Sequence, residues 1–241
     1  MGATARRSVA ALAAVGVAEG GLIWLGRTYG STREERRTRL PGDDVVLHPT
    51  VQTDHAITID APPSAVWPWL VQMGWGRGGW YTARWVDRLL FPANGPSANR
   101  VVPELQTISV GTFIPDGPPE TECGLHVVAL QPGRAMVLRS NSHLPMSWRD
   151  RATLDWSWAF ALRPLEDGRR TRYHFRSRWV TEPRWFTVGG TLGIVPADFL
   201  MSRDHLLGVK RRAESLHRDR SSRADHLAEA RRRHPASGRC G

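Results

Sequence analysis

Two runs late in the chain, Thr153 to Leu162 and Thr171 to Val180, alternate apolar and polar residues on either side of an Asp167-Gly168 turn. In the first, Leu154, Trp156, Trp158, Phe160 and Leu162 share a face. In the second, Tyr173, Phe175, Ser177 and Trp179 share one, while Arg172, His174, Arg176 and Arg178 take the other and are expected to face water. A hairpin with one greasy side must lay that side against another apolar element. The partner is found at Pro196 to Leu216, where Phe199, Leu206, Val209, Ala213 and Leu216 recur at helical spacing. Arg203, Asp204, Lys210, Arg211, Arg212 and Glu214 would face solvent. The expected class is α+β, an antiparallel sheet packed on a long C-terminal helix.

The front of the chain fits the same plan. His55 to Asp60 alternate as a strand, with Ile57 and Ile59 on one face. Ala61-Pro62-Pro63-Ser64 ends it, and Pro63 or Ser64 opens a helix carrying Val66, Trp67, Leu70, Val71 and Met73, with Pro68 placed in its first turn. Gly74, Gly76, Gly78 and Gly79 then interrupt regular structure while Trp75, Trp80 and Tyr81 supply large apolar surfaces. These glycines follow a helix instead of opening one after a strand, so a phosphate-binding loop lacks its structural context. Trp85, Val86, Leu89 and Leu90 predict a second short helix ending before Pro92. Thr107 to Ile114 reads as a strand, and Leu125 to Leu130 with Ala135 to Arg139 as a hairpin.

A chain of 241 residues builds one sizeable core with tails. The net charge is +10, but residues 1–41 hold seven Arg against three Glu, and residues 217–241 hold seven Arg against three acidic residues. The body, residues 42–216, is therefore nearly neutral. A nucleic-acid interface needs its basic residues on a folded face, so that class is excluded. The basic stretch 217–241 reads as a disordered tail. Cys123 and Cys240 form no disulfide framework, the histidines are scattered singly, and no metal site or cofactor is expected.

From Val9 to Leu25 the chain is almost wholly apolar, broken by Glu19-Gly20-Gly21. A membrane anchor, a secretory signal and a packed helix are the three readings. The anchor is the leading one, with a basic linker completing residues 1–41. Arg27, Arg33, Arg36, Arg37 and Arg39 follow it, so the positive-inside rule then places the domain in the cytoplasm; a secreted or cytoplasmic protein is the alternative.

Several segments together resemble one superfamily. They are LPGDDVV (40–46), ITIDAPPSAVWPWLVQMG (57–74), GRGGWY (76–81), NRVVPELQTISVG (99–111), VVALQPGRAMVLR (127–139), WSWAFALRPLEDGRRTR (156–172) and PADFLMSRDHLLGVKRRAE (196–214). In this order they are similar to the START-like, or SRPBCC, superfamily, in an actinobacterial-type branch of unassigned function. Where that branch has Tyr-Ser-Tyr-Asp, this chain has Tyr81-Thr82-Ala83-Arg84, a base in place of an acid. The resemblance implies a helix-grip fold: a curved antiparallel sheet wrapped around the C-terminal helix, with two short helices after the first strand. It also implies a cavity for lipids, sterols or polyketides.

Eleven tryptophans are first of all core material. Trp75, Trp80 and Tyr81 lie among glycines and are the better ligand candidates, with Trp85 beside them. Trp156, Trp158 and Phe175 would line a cavity from the sheet, Arg77 would meet a ligand carboxylate, and His143 would reach a pocket mouth. Asp155 falls on the wetter face as a salt-bridged carboxylate. No acid–base pair has a spacing that forces catalysis. The leading function is binding of an apolar small molecule by a monomer, attached to a membrane through residues 9–25. A polyketide cyclase or dehydratase would instead hold an ionisable residue inside the cavity, and an interaction protein would fill the cavity with side chains.

Overall fold

The computed structural model describes residues 3–144 and 146–233. Six strands form one curved antiparallel sheet: β1 (Val51–Ile59), β2 (Phe113–Pro115), β3 (Gly124–Gln131), β4 (Ala135–Ser140), β5 (Thr153–Leu165) and β6 (Arg170–Glu182), in the order β1-β6-β5-β4-β3-β2. Two short helices, α3 (Pro63–Val71) and α4 (Arg84–Leu90), follow β1. Pro68 falls in the second turn of α3, where it deprives the Ser64 carbonyl of its helical donor. The run read as a strand from Thr107 is regular strand only at residues 113–115, although Gly111 and Thr112 already exchange backbone bonds with Val127; a 3-10 turn at Pro103–Leu105 and a loop precede it.

Across β5 and β6, Trp156 opposes Trp179, Trp158 opposes Ser177, Phe160 opposes Phe175 and Leu162 opposes Tyr173. This register puts the expected apolar residues on one face, and the helix α6 (Val195–Arg233) covers it. Leu206, Val209 and Ala213 are each 0 % exposed there, and a buried Leu or Val side chain contributes about 2 kcal/mol. His205 belongs to the same inward stripe. Its Nδ1 lies 2.8 Å from the Trp80 carbonyl and its Nε2 2.7 Å from the Tyr173 hydroxyl. A carbonyl only accepts, so Nδ1 donates and Nε2 receives the tyrosine proton. Burial pushes the imidazole down to about 4, so it is neutral. Gly208 marks where α6 crosses the aromatic loop, since a Cβ there would lie 2.0 Å from the Tyr81 carbonyl oxygen. Gly208→Ala is expected to cost about 3 kcal/mol in chemical denaturation, because backbone has to move on one side or the other.

The other face of β6 is not wet. Arg172, His174 and Arg176 are covered by residues 30–47, which the sequence assigned to a linker and the start of the domain. Arg172 binds Glu35 of α2 (Arg33–Arg37) at 2.7 Å and the Gly30 carbonyl at 2.6 Å. Arg176, 2 % exposed, donates through Nε to Asp54 at 2.7 Å, through Nη1 to Asp43 at 2.7 Å and the Thr38 carbonyl at 3.0 Å, and through Nη2 to the Glu35 and Arg36 carbonyls. Alternating arginines thus serve as pins for an acidic and carbonyl-rich N-terminal strap.

The N-terminal helix α1 (Ala3–Thr28) packs its C-terminal end on α6 and β1, with Tyr29 edge-on to Phe199 at 5.4 Å and His55 Nε2 2.8 Å from the Gly26 carbonyl. Among the described residues no helix is long and apolar enough to cross a membrane, so the spanning anchor expected at residues 9–25 has no support here. Glu19 and its neighbouring glycines interrupt the apolar run. At the other end, α6 continues to Arg233 through most of the stretch read as disordered. Arg, Ala and Glu are good helix formers, and no proline intervenes before Pro235. Residues 234–241, with Cys240, lie outside the described residues.

Candidate functional site

A cavity of about 450 Å³ lies between the sheet and the start of α6. Val51 and Thr53 of β1, Leu154 and Trp156 of β5, and Ser177, Trp179 and Thr181 of β6 form its floor. Its roof comes from the helical stretch after β6: α5 (Arg184–Gly189), a π-helical turn (Gly190–Ile194) and the first turns of α6. Leu90 and Phe91, at the end of α4, close one side.

Most of this lining is apolar, but one end is ionisable. Asp116 follows β2, His143 sits in the loop after β4, and Asp198 enters from α6. His143 Nε2 lies 2.8 Å from Asp116 and Nδ1 2.7 Å from the Ser140 hydroxyl, with the ring edge-on to Trp156 at 4.7 Å. Burial works against the imidazolium, yet hydrogen bonding to Asp116 and to the neighbouring Cys123 outweighs it, and the pKa rises to about 9. His143 is therefore protonated at neutral pH. Burial lifts Asp198 to about 6, against the Ser202 hydroxyl, which donates to it at 3.1 Å; the Asp116 charge adds to the rise. A carboxyl that titrates near neutrality beside a fixed imidazolium–carboxylate pair can accept or return a proton. Two further groups in the wall, Thr53 Oγ1 and Trp179 Nε1, are buried without a hydrogen-bond partner among the described residues. They are available to a polar atom of a ligand.

Of the nine expected site residues, only His143 and Trp156 line this cavity. Trp75, Arg77 and Trp80 border a separate cavity of about 190 Å³ beside Asp87 and Asn94. Within that loop Trp75 Nε1 donates to the Ala93 carbonyl at 2.9 Å, and Arg77 to the Met73 and Val71 carbonyls at 2.9 and 3.1 Å, while Trp80 Nε1 is buried with no hydrogen-bond partner among the described residues. Arg77 is thus a brace for the end of α3. Tyr81 is fully buried and donates to the Trp69 carbonyl at 2.6 Å. Trp158 and Phe175 are core, 3 % and 1 % exposed, and Trp85 is 55 % exposed on the outside of α4. Asp155 is held by Arg139 through two bonds of 2.8 and 2.9 Å. The glycine loop is therefore not the entrance of the large cavity. Asp116 and Asp198 escaped the sequence reading, although Asp198, Ser202 and His205 fall at helical steps on the stripe that continues through Val209 and Ala213.

No family profile matches the chain by sequence, and neither does any curated protein. Solved structures are similar to it at low identity. A hypothetical protein of Helicobacter pylori is 10 % identical over 73 % of this chain and 95 % of its own, with a TM-score of 0.44. Truncated norcoclaurine synthase of Thalictrum flavum is 10 % identical over 63 % and 91 % (TM-score 0.35), and a protein of Mesorhizobium loti is 16 % identical over 64 % and 96 % (TM-score 0.34). The six-strand sheet, the two short helices after β1 and the long C-terminal helix make the fold of this chain a helix-grip.

Proposed function

We propose that this chain is an SRPBCC-like protein that binds a mostly apolar small molecule carrying one polar group. The observation that supports this is the uneven cavity: an apolar trough of about 450 Å³ with Asp116, His143 and Asp198 gathered at one end. A volume of this size accepts a ligand of lipid, sterol or polyketide type and argues against an interaction protein with a filled interior. The apolar part would rest on Leu154, Trp156, Trp179 and Phe186, and its hydroxyl, carbonyl or amine would turn toward the ionisable end.

Acid–base chemistry of the cyclase or dehydratase type is the second reading, favoured by the elevated pKa of Asp198. In it Asp198 moves a proton at the ligand's polar group, while the His143 imidazolium stabilises negative charge developing there. Extraction of the purified protein followed by mass spectrometry tests the binding reading. An apolar molecule with one polar group is expected from the natural sequence. Ala197→Phe, which fills the trough, is expected to carry none while melting at the same temperature. Empty protein from a lipid-rich host, together with unchanged Trp fluorescence on titration with fatty acids and sterols, would sink it.

A further inference from the structure

Elements that wall the large cavity also carry apolar side chains on their outer surface. The flanking elements, α4 and α5 with its π turn, send Leu90, Phe91, Phe186 and Ile194 into the cavity wall. On their outer sides Trp85 is 55 % exposed, Leu89 66 %, Trp185 59 %, Val188 59 % and Leu192 53 %. Trp85 and Leu89 are one helical turn apart, as are Trp185 and Val188, so each element presents an apolar stripe outward. Trp148, from the loop before β5, packs on Trp185 and Phe186 with ring centroids 6.0 and 5.7 Å apart and extends the surface. Soluble monomers seldom expose so many large apolar side chains on neighbouring elements.

Charge on the same elements has a definite sign. Arg88 of α4, Arg151 beside Trp148 and Arg184 at the start of α5 are exposed and make no ion pair among the described residues. Arg84 leans on the buried Asp87 at 3.8 Å, and Arg149 pairs with Glu122. The exposed acids close by are Asp150 and Glu182, so arginine is in excess. Tryptophan and leucine interleaved with unpaired arginine is the composition that settles at the interface of an anionic bilayer. The apolar helix α1 reaches the same end of α6, where Gly26 lies against Val195, and its Leu12, Val15 and Val17 are exposed.

We infer that this collar docks on the surface of an anionic lipid bilayer. The tryptophans and leucines enter the interfacial layer, the arginines meet lipid phosphates, and the cavity mouth opens toward the acyl chains. Docking stands on exposed residues and charge, independently of what the cavity holds.

Vesicle flotation of the full chain tests this, with phosphatidylcholine alone and with phosphatidylcholine containing a quarter phosphatidylglycerol. The protein is expected to float with the mixed vesicles and to release at high salt. Trp85→Ser, Leu89→Ser, Trp185→Ser and Leu192→Ser combined should weaken binding about ten-fold or more without lowering the melting temperature, since these side chains are exposed. Arg88→Gln, Arg151→Gln and Arg184→Gln should each reduce the preference for anionic vesicles about five-fold. Ala197→Phe should bind vesicles like the natural sequence, which separates failure of docking from failure of the ligand reading. Three results overturn the inference. They are no flotation of the natural chain, full binding by the collar variant with loss on Leu12→Ser, Val15→Ser and Val17→Ser, or a collar-dependent dimer in sedimentation velocity without vesicle binding.

Discussion

Arg176→Met is expected to destabilise the protein by about 4 kcal/mol, read as a lowered urea midpoint and a melting temperature about 10 °C lower. The guanidinium has five N–H donors, and each meets an acceptor on the covered side of β6. Removing it leaves Asp54 without its guanidinium partner. That carboxylate is 2 % exposed, and although burial opposes its charge, His174 and Arg176 hold its pKa below the usual range. Asp43 loses one partner as well, keeping Arg178 at 3.1 Å. Most of the loss therefore comes from a stranded negative charge, and a double-mutant cycle checks this: adding Asp54→Asn to Arg176→Met should restore about half of it. Arg176→Lys should fall between, because an ammonium keeps the charge but cannot span acceptors on both sides of the fork. An effect under about 1 kcal/mol would show that the N-terminal strap does not depend on this residue.

Asp198→Asn is expected to act in the opposite direction and only at higher pH. The carboxyl titrates at about 6 in the folded chain, against an ordinary value of 3.8. Folding therefore favours its protonated form. Relative stability from this group is full below pH 4 and is lost as pH rises through 6. The difference corresponds to about 3 kcal/mol at most, and because the Asp198 residue is only partly buried, solvent screening leaves about 1–2 kcal/mol. The amide should thus raise stability by that amount at pH 8 and change nothing at pH 4, as followed by thermal melts across the range. In the same variant, unchanged ligand affinity with loss of turnover would favour the acid–base reading. Weakened affinity alone would make Asp198 a positioning group for the ligand.

How far these features were legible depends on which residues carried them. Period-two alternation at 154–162 and 173–179 and the helical stripe at 206–216 report a face directly, so the sheet-on-helix plan followed from them, while the register of β5 against β6 came only with the structure. Two kinds of information were hidden. Arg172 and Arg176 looked solvent-facing because a charged residue reads as wet until its partners are known, and those partners, Glu35 and Asp43, lie more than a hundred residues away in sequence. The cavity was hidden for a different reason. Glycine-flanked aromatics drew attention to Trp75, Trp80 and Tyr81, yet an aromatic beside glycine packs on backbone as readily as on a ligand, and here Tyr81 does so. Asp116 sits in a Pro115-Asp116-Gly117 turn with no periodicity, and only three-dimensional closure brings it beside His143 and Asp198. Asp198 itself was readable as a polar interruption of an inward stripe.

The glycines of the helical stretch after β6 have a consequence for timing. Gly189 and Gly193 have open space where a side chain would go, and Gly190 meets only the tip of Ile194, so close packing is not what requires them. Each makes this stretch less helix-stable than alanine would by about 1 kcal/mol, and the π turn lies among them. The sheet side of the cavity is tied by the long β5–β6 ladder, whereas the roof is spanned by this weakened stretch. Unwinding the roof is thus the expected route by which the cavity opens, and alanine at Gly189, Gly190 and Gly193 is expected to slow the exchange of a fatty-acid probe by several-fold in stopped-flow Trp fluorescence.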